Sequence, residues 1–200
     1  MFGDPVRNEK SFRWIRLAEA GRLERGVSKH RPRNDPVLLG GAHPLIQTGD
    51  VASSEGYITS SSSSYSDAGL RQSKKWPAGT LCITIAANIA QTGILTFPAC
   101  FPDSVVGFTH NSKGLVQYVR VWLSFLQSLL EQRAPMVAQK NINLEILRNL
   151  PIALPPSKLI EEFGARIVKQ RDIELSLRNS QSSTERLFSS LQHRAFSGQL

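Results

Sequence analysis

Two hundred residues with a hydrophobic share of 40% are enough for one domain with a real core. A surplus of 24 Lys and Arg over 16 Asp and Glu gives a net charge of +8. That sign favours an acidic partner, either nucleic acid or an anionic membrane surface, and carries no information about the fold. Two cysteines, Cys82 and Cys100, exclude a disulfide framework in a chain of this length. The N-terminus is charged from Asp4 onward and has no apolar run, which is not a signal-peptide pattern, so a cytoplasmic location is expected.

The first 34 residues hold nine bases (Arg7, Lys10, Arg13, Arg16, Arg22, Arg25, Lys29, Arg31, Arg33) against four acids (Asp4, Glu9, Glu19, Glu24). Most of the net charge therefore sits there. Pro36 to Gly49, punctuated by Gly40-Gly41 and Pro44, predicts loop and short strand. The serine tract from Thr59 to Ser66 is too polar to pack and predicts a mobile loop. From Trp76 the pattern turns to period two: Leu81, Ile83 and Ile85 alternate with Cys82 and Thr84. Gly93 to Phe97 and Val105 to Thr109 are further strand candidates.

The longest uncharged stretch, Trp76 to Pro102, contains Asn88, Gln91, Gly93 and Pro98. It is no run of about 20 apolar residues, and no membrane association is expected. Gly114 to Arg133 predicts an amphipathic helix, with Leu115, Val119, Trp122, Leu123, Leu126 and Leu130 on one stripe. Asn143 to Leu147 leads into a proline-bounded strand, Leu150 to Leu154. Pro155-Pro156 is a hard boundary. Beyond it Leu159, Phe163, Gln170, Ile173, Leu177, Ser180, Thr184, Leu187 and Leu191 form a heptad-like seam interrupted by polar residues. A helix from Pro156 to His193 would be about 57 Å long, too long to fold back on one small domain, so it needs a partner.

Signatures of catalysis are missing. The sequence contains no G-x-x-x-x-G-K-[ST], G-x-G-x-x-G, G-x-S-x-G or H-E-x-x-H. Cys82, Cys100 and the four histidines lack zinc-ligand spacing, so neither a metal nor any other cofactor is expected on this chain. Binding is better supported. Ser28-Lys29-His30-Arg31-Pro32-Arg33 packs three fixed cations into one turn, the composition phosphate contact requires. Between Tyr65 and Trp76 lie Arg71, Gln72, Lys74 and Lys75, where arginine and glutamine are suited to bidentate contacts with base edges.

Several segments together resemble the specificity subunit of type I restriction–modification systems, in a half-length form. These are Leu23-Glu24-Arg25-Gly26, Ile46-Gln47-Thr48-Gly49-Asp50-Val51, Pro77-Ala78-Gly79-Thr80-Leu81, the junction Asn149-Leu150-Pro151-Ile152-Ala153-Leu154-Pro155-Pro156 and the ending Leu191 to Leu200. Phe2-Gly3-Asp4-Pro5 with Asn8 is similar to a linker between a helical region and a recognition domain. Two positions depart from the pattern: no Gln follows the double proline, and Thr80 replaces a common acidic residue.

The resemblance implies an α+β fold: a mixed, β-rich target-recognition domain over 1–155 and a long helical spacer over 156–200. That helix would pair with a partner helix as an antiparallel coiled coil. The chain would read one half of a bipartite target in double-stranded DNA, as a non-catalytic subunit. Its partners would be methyltransferase subunits that carry S-adenosylmethionine and, in some systems, an ATP-dependent restriction subunit. The expected DNA contacts are Lys29, His30, Arg31, Arg33, Tyr57, Tyr65, Arg71, Gln72, Lys74 and Lys75. The expected helix-pairing residues are Leu159, Phe163, Ile173, Leu177, Leu187 and Leu191. The half-length form fits a chain that pairs with itself and equally one half of a longer subunit. A non-catalytic coiled-coil adaptor is the alternative function.

Overall fold

The structure is a computed structural model and describes residues 1–4, 7–85, 90–133 and 143–198. The fold comprises two mixed sheets that share a core, a two-stranded ribbon and a set of helices. The ribbon pairs β1 (Arg13–Arg16) antiparallel with β11 (Pro151–Leu154), so the start of the domain is tied to the strand that leads into the long helix. The five-stranded sheet has the order β2 (Arg22–Arg25), β10 (Val105–Thr109), β7 (Leu81–Thr84), β8 (Thr92–Leu95) and β4 (Tyr57–Ile58). Its only parallel pair is β4 with β8. The four-stranded sheet runs β5 (Ser63–Tyr65), β3 (Leu39–Leu45), β9 (Ala99–Cys100), β6 (Lys75–Trp76).

Period-two alternation explains why β7 and β10 are central. Leu81 and Ile83 face one core together with Val106 and Phe108, whereas Cys82 and Val105 face a second core. Side chains of successive strand residues point to opposite faces, so a strand covered on both sides is apolar throughout. The first core is closed by α4 (Lys113–Arg133), whose Leu115, Val116, Val119, Trp122 and Leu123 are buried. Ser112 opens this helix by accepting a hydrogen bond at Oγ from the Leu115 N–H at 3.2 Å. Leu130 of the predicted stripe has a side chain outside the described residues. The second core lies between the sheets and centres on Trp76, stacked on Phe101 with ring centroids 4.8 Å apart. Gly107 makes this stack possible, because a Cβ there would meet Trp76 at 2.9 Å and Phe101 at 3.0 Å.

Short helices complete the domain: α1 (Leu17–Ala20), α2 (Thr48–Ala52), α3 (Asp67–Arg71) and α5 (Leu144–Asn149). The last, α6 (Ser157–Phe196), has 40 residues and is about 60 Å long at ~1.5 Å per residue. It starts directly after the double proline. Its first turns are packed, with Ile160 and Gly164 buried where α6 crosses α4 at Gly114, and further along Arg171 lies over Tyr57 and Arg178 pairs with Glu55 at 2.7 Å. A Cβ on Gly164 would lie 2.6 Å from the Gly114 Cα, so the helices touch backbone to backbone. Phe2, Tyr118 and Phe163 form an edge-to-face cluster beside this crossing, with Phe2 at 4.9 Å from Tyr118 and 5.0 Å from Phe163.

Three expectations change. The serine tract is not a loop throughout: Ser63 to Tyr65 form β5, because β3 supplies a hydrogen-bonding partner that a polar strand needs. Asn143 to Leu147 caps and begins the helix α5 before the strand, with the Asn143 side chain accepting from the Ile146 N–H at 2.9 Å. Phe163 packs within its own chain and is not an open seam position. Leu159 is half-buried, while Ile173, Leu177, Leu187 and Leu191 are exposed.

Candidate nucleic-acid interface

The two basic segments, some forty residues apart in sequence, form one surface. Ser28 and Ser73 make an antiparallel bridge, and the Ser73 hydroxyl donates to the Val27 carbonyl at 2.7 Å. Gln72 locks the two together. Its Oε1 accepts from the backbone N–H groups of Lys29 at 2.6 Å and His30 at 3.0 Å. Gln72 therefore builds the surface, its amide oxygen committed to these two backbone N–H groups.

Acidic residues fix several of the cations. Arg31 folds back so that one guanidinium nitrogen donates to the carbonyls of Ser28 at 2.6 Å and His30 at 2.8 Å. Its other terminal nitrogen reaches Asp103 at 3.3 Å, and Arg33 takes the second oxygen of the same carboxylate. Two guanidiniums thus share one carboxylate, leaving one positive charge uncompensated. His30 contacts Asp35 at 3.0 Å, and Asp35 also caps the 3-10 turn Pro36–Leu38 through the Val37 N–H. Lys74 pairs with Glu24 and lies 3.9 Å above the Trp76 ring. Lys75 donates to His43 Nδ1 at 3.5 Å, which leaves His43 Nε2 to donate to Asp67 at 2.8 Å. Lys29, Arg71 and Lys75 are exposed and make no ion pair among the described residues. They are the cations open to an incoming polyanion.

Both tyrosines expected at the surface are placed elsewhere. Tyr65 is 2% exposed in a small core with Leu38, Leu45 and Cys100. Tyr57 faces the helices: its hydroxyl accepts from Gln117 at 2.8 Å, and the guanidinium of Arg171 on α6 lies 3.9 Å over its ring. Asp103 and Glu24 were not legible as site residues, since nothing local in the sequence marks the carboxylate that will meet a cation 50 or more residues away.

Hydrogen bonding from Lys74 holds the Glu24 carboxyl below its ordinary value, with burial opposing and Arg22 adding to the depression. A depressed folded-state pKa contributes stability above the ordinary carboxylate range and loses it as pH falls through the lowered value. The stability advantage of the native chain over Lys74→Met in urea should therefore be larger at pH 7 than below about pH 4. The contact of Lys74 with Trp76 supplies a remainder that does not change over that range. An advantage that is flat from pH 7 to pH 3 would exclude the pair as its source.

The described residues offer no catalytic constellation of a metal or thiolate kind. Burial pushes the Cys82 thiol far up and the Cys100 thiol up, which keeps both protonated and unreactive. Among the described residues no cluster of three His, Cys, Asp or Glu could hold a metal, and no helix is long and apolar enough to cross a membrane.

Known structures share this architecture. The HsdS subunit of Thermoanaerobacter tengcongensis matches with a TM-score of 0.57 and 18% identity over 94% of this chain and 45% of its own. A chain of a type I R-M system, solved for complex assembly and conformational transition, matches at 0.58 and 19% over 94% and 46%. The type I restriction–modification S subunit of M. genitalium matches at 0.58 and 13% over 88% and 43%. At these identities the likeness is one of fold, and the chain spans under half the length of the solved chains it matches. The family model described as the type I restriction modification DNA specificity domain matches residues 27–181, which include both basic segments, the four-stranded sheet, every strand of the five-stranded sheet but β2, and more than half of α6. The chain belongs to the type I restriction modification DNA specificity domain family.

Proposed function

We propose that this chain is a specificity subunit, or half of one, that reads one half of a bipartite target in double-stranded DNA. Residues 1–155 act as the recognition domain and residues 156–200 as the spacer. The observation that carries this reading is the convergence of the two basic segments through Gln72 onto one exposed surface in a chain of this family. Lys29, Arg71 and Lys75 supply phosphate contacts, and Arg31 and Arg33, held by Asp103, present a rigid cationic edge. Preorganised cations lose less side-chain freedom on binding than mobile ones.

The chemistry belongs to partners in this reading. Methyltransferase subunits with bound S-adenosylmethionine modify the target, and an ATP-dependent restriction subunit joins in systems that cleave. The complex works in the cytoplasm. Two copies of the chain associate through α6 as an antiparallel helix pair, supported by the row of exposed Ile173, Leu177, Leu187 and Leu191. Two-fold symmetry then requires half-sites that are inverted repeats.

Replacing Lys29, Arg71 and Lys75 together by alanine should weaken duplex binding on every sequence. It should also flatten the dependence of log K on log salt by roughly 0.9 for each lost phosphate contact. Binding measured by fluorescence anisotropy across a salt series checks this. An unchanged slope would show that these cations do not face DNA. The coiled-coil adaptor reading predicts no salt-sensitive duplex binding at all.

A further inference from the structure

The turn that carries Asp103 is built into the first basic segment. It closes through the Val105 N–H, which donates to the Pro102 carbonyl at 3.0 Å. The chain leaving β2 docks on this turn backbone to backbone: the Gly26 N–H donates to the Val105 carbonyl at 2.8 Å and the Val27 N–H to the Phe101 carbonyl at 3.1 Å. Gly26 permits the approach, because a Cβ there would lie 2.3 Å from the carbonyl oxygens of Phe101 and Pro102. Main-chain contacts on both sides thus fix where the half-buried Asp103 stands.

Three guanidiniums gather on this one residue. Arg31 and Arg33 take its carboxylate, and the exposed Arg25 of β2 donates from Nε to its backbone carbonyl at 3.0 Å. The three are not equivalent. Arg31 gives Nη1 to two carbonyls of its own loop and Nη2 to Asp103, so it braces the loop. Arg33 is held at Nη2 alone and Arg25 at Nε alone, and their other guanidinium nitrogens take no partner among the described residues. A carboxylate at such a surface works against attraction to any phosphate backbone. What it supplies is a fixed direction for a guanidinium. Phosphate contacts carry no sequence information, whereas guanine presents two adjacent acceptors, O6 and N7, that match an arginine fork held in one place.

We infer that Asp103 is a specificity-determining positioning residue, which holds Arg33, with Arg25 beside it, as the guanine-reading edge of the basic surface. Lys29, Arg71 and Lys75 then supply the attraction that is independent of sequence. This rests on the DNA-reading function proposed above. The test uses the full native chain to select a preferred duplex from a randomised pool. Affinity is then measured for that duplex and for a scrambled one of the same length and composition. Asp103→Asn removes one negative charge together with the bracket on Arg33. It should bind the scrambled duplex at least about twofold more tightly, while the preference for the selected duplex falls by about tenfold. Both affinities falling together would show a purely structural role and overturn the assignment. Arg33→Lys keeps the charge and loses the fork, so it should leave scrambled binding at the native level and lower the preference by a similar factor. Replacing each guanine of the selected half-site in turn by 7-deazaguanine deletes its N7 acceptor. At one of them the loss should appear with the native chain and vanish with Arg33→Lys. Both variants keeping the preference within about twofold of native would overturn the inference and leave the DNA-reading function standing. A native chain that selects no duplex would remove that function, and this inference with it.

Discussion

Replacing Trp76 with alanine is expected to cost about 3–5 kcal/mol, the range for removing a large buried aromatic from a packed core. The ring is 3% exposed and sits between the two sheets, stacked on Phe101 and touching the space that Gly107 leaves open. No single strand beside it can move inward to fill the gap, because β9 and β6 are two residues each and already paired. The loss is a large part of the roughly 5–15 kcal/mol available to a typical domain. At about 2–4 °C per kcal/mol for a chain of this size, melting should fall by about 6–20 °C.

Trp76→Phe separates packing from polarity. It keeps an aromatic face against Phe101 and deletes an indole N–H that is buried without a hydrogen-bond partner among the described residues. Such an orphaned donor costs about 1–3 kcal/mol, which offsets part of the lost ring volume. The phenylalanine variant should therefore lie within about 1.5 kcal/mol of the native chain. Equal losses for Ala and Phe would show that the stack contributes little. Because Lys74 lies over the same ring, Trp76→Ala should also loosen the basic surface and weaken duplex binding.

Under the proposed pairing of two copies through α6, substituting Ile173, Leu177, Leu187 and Leu191 by serine should leave a monomer without unfolding the domain. These side chains are 44–64% exposed in the single chain, so their removal opens no cavity. Intramolecular stability is expected to change within about 0.5 kcal/mol per site, the usual range for surface positions. Buried against a second helix, each leucine or isoleucine contributes about 1.5–3 kcal/mol, so four changes on each of two copies abolish association at micromolar concentration. Light scattering of the native and variant chains measures this, and a variant that remains dimeric would place the interface elsewhere. Phe163 is deliberately left intact, since it packs on Phe2 within one chain.

The long elements were legible from the sequence alone. The stripe of α4, the alternation of β7 and β10, and the uninterrupted helix after Pro155-Pro156 are local patterns, set by which residues recur every two or 3.6 positions. So were the two basic segments, because charge density needs no partner to be visible. The short strands were not. Three serine-tract residues become β5 only because β3 lies beside them, and two-residue strands such as β6 and β9 exist as pairings rather than as patterns.

Tertiary structure alone decided what the candidate residues do. Tyr57 and Tyr65 are the same residue type in similar polar contexts, yet one lies under two arginines and the other in a core. Gln72 looked suited to base recognition, and the approach of two backbone N–H groups from a distant loop consumes its acceptor. Asp103 and Glu24 settle which cations are held and which stay open, from 50 to 72 residues away. Periodicity and composition are written along the chain, while burial and charge pairing depend on what folding brings close. The sequence therefore determined the long elements and the sign of the surface, and the tertiary structure determined the short strands and which residues that surface has to offer.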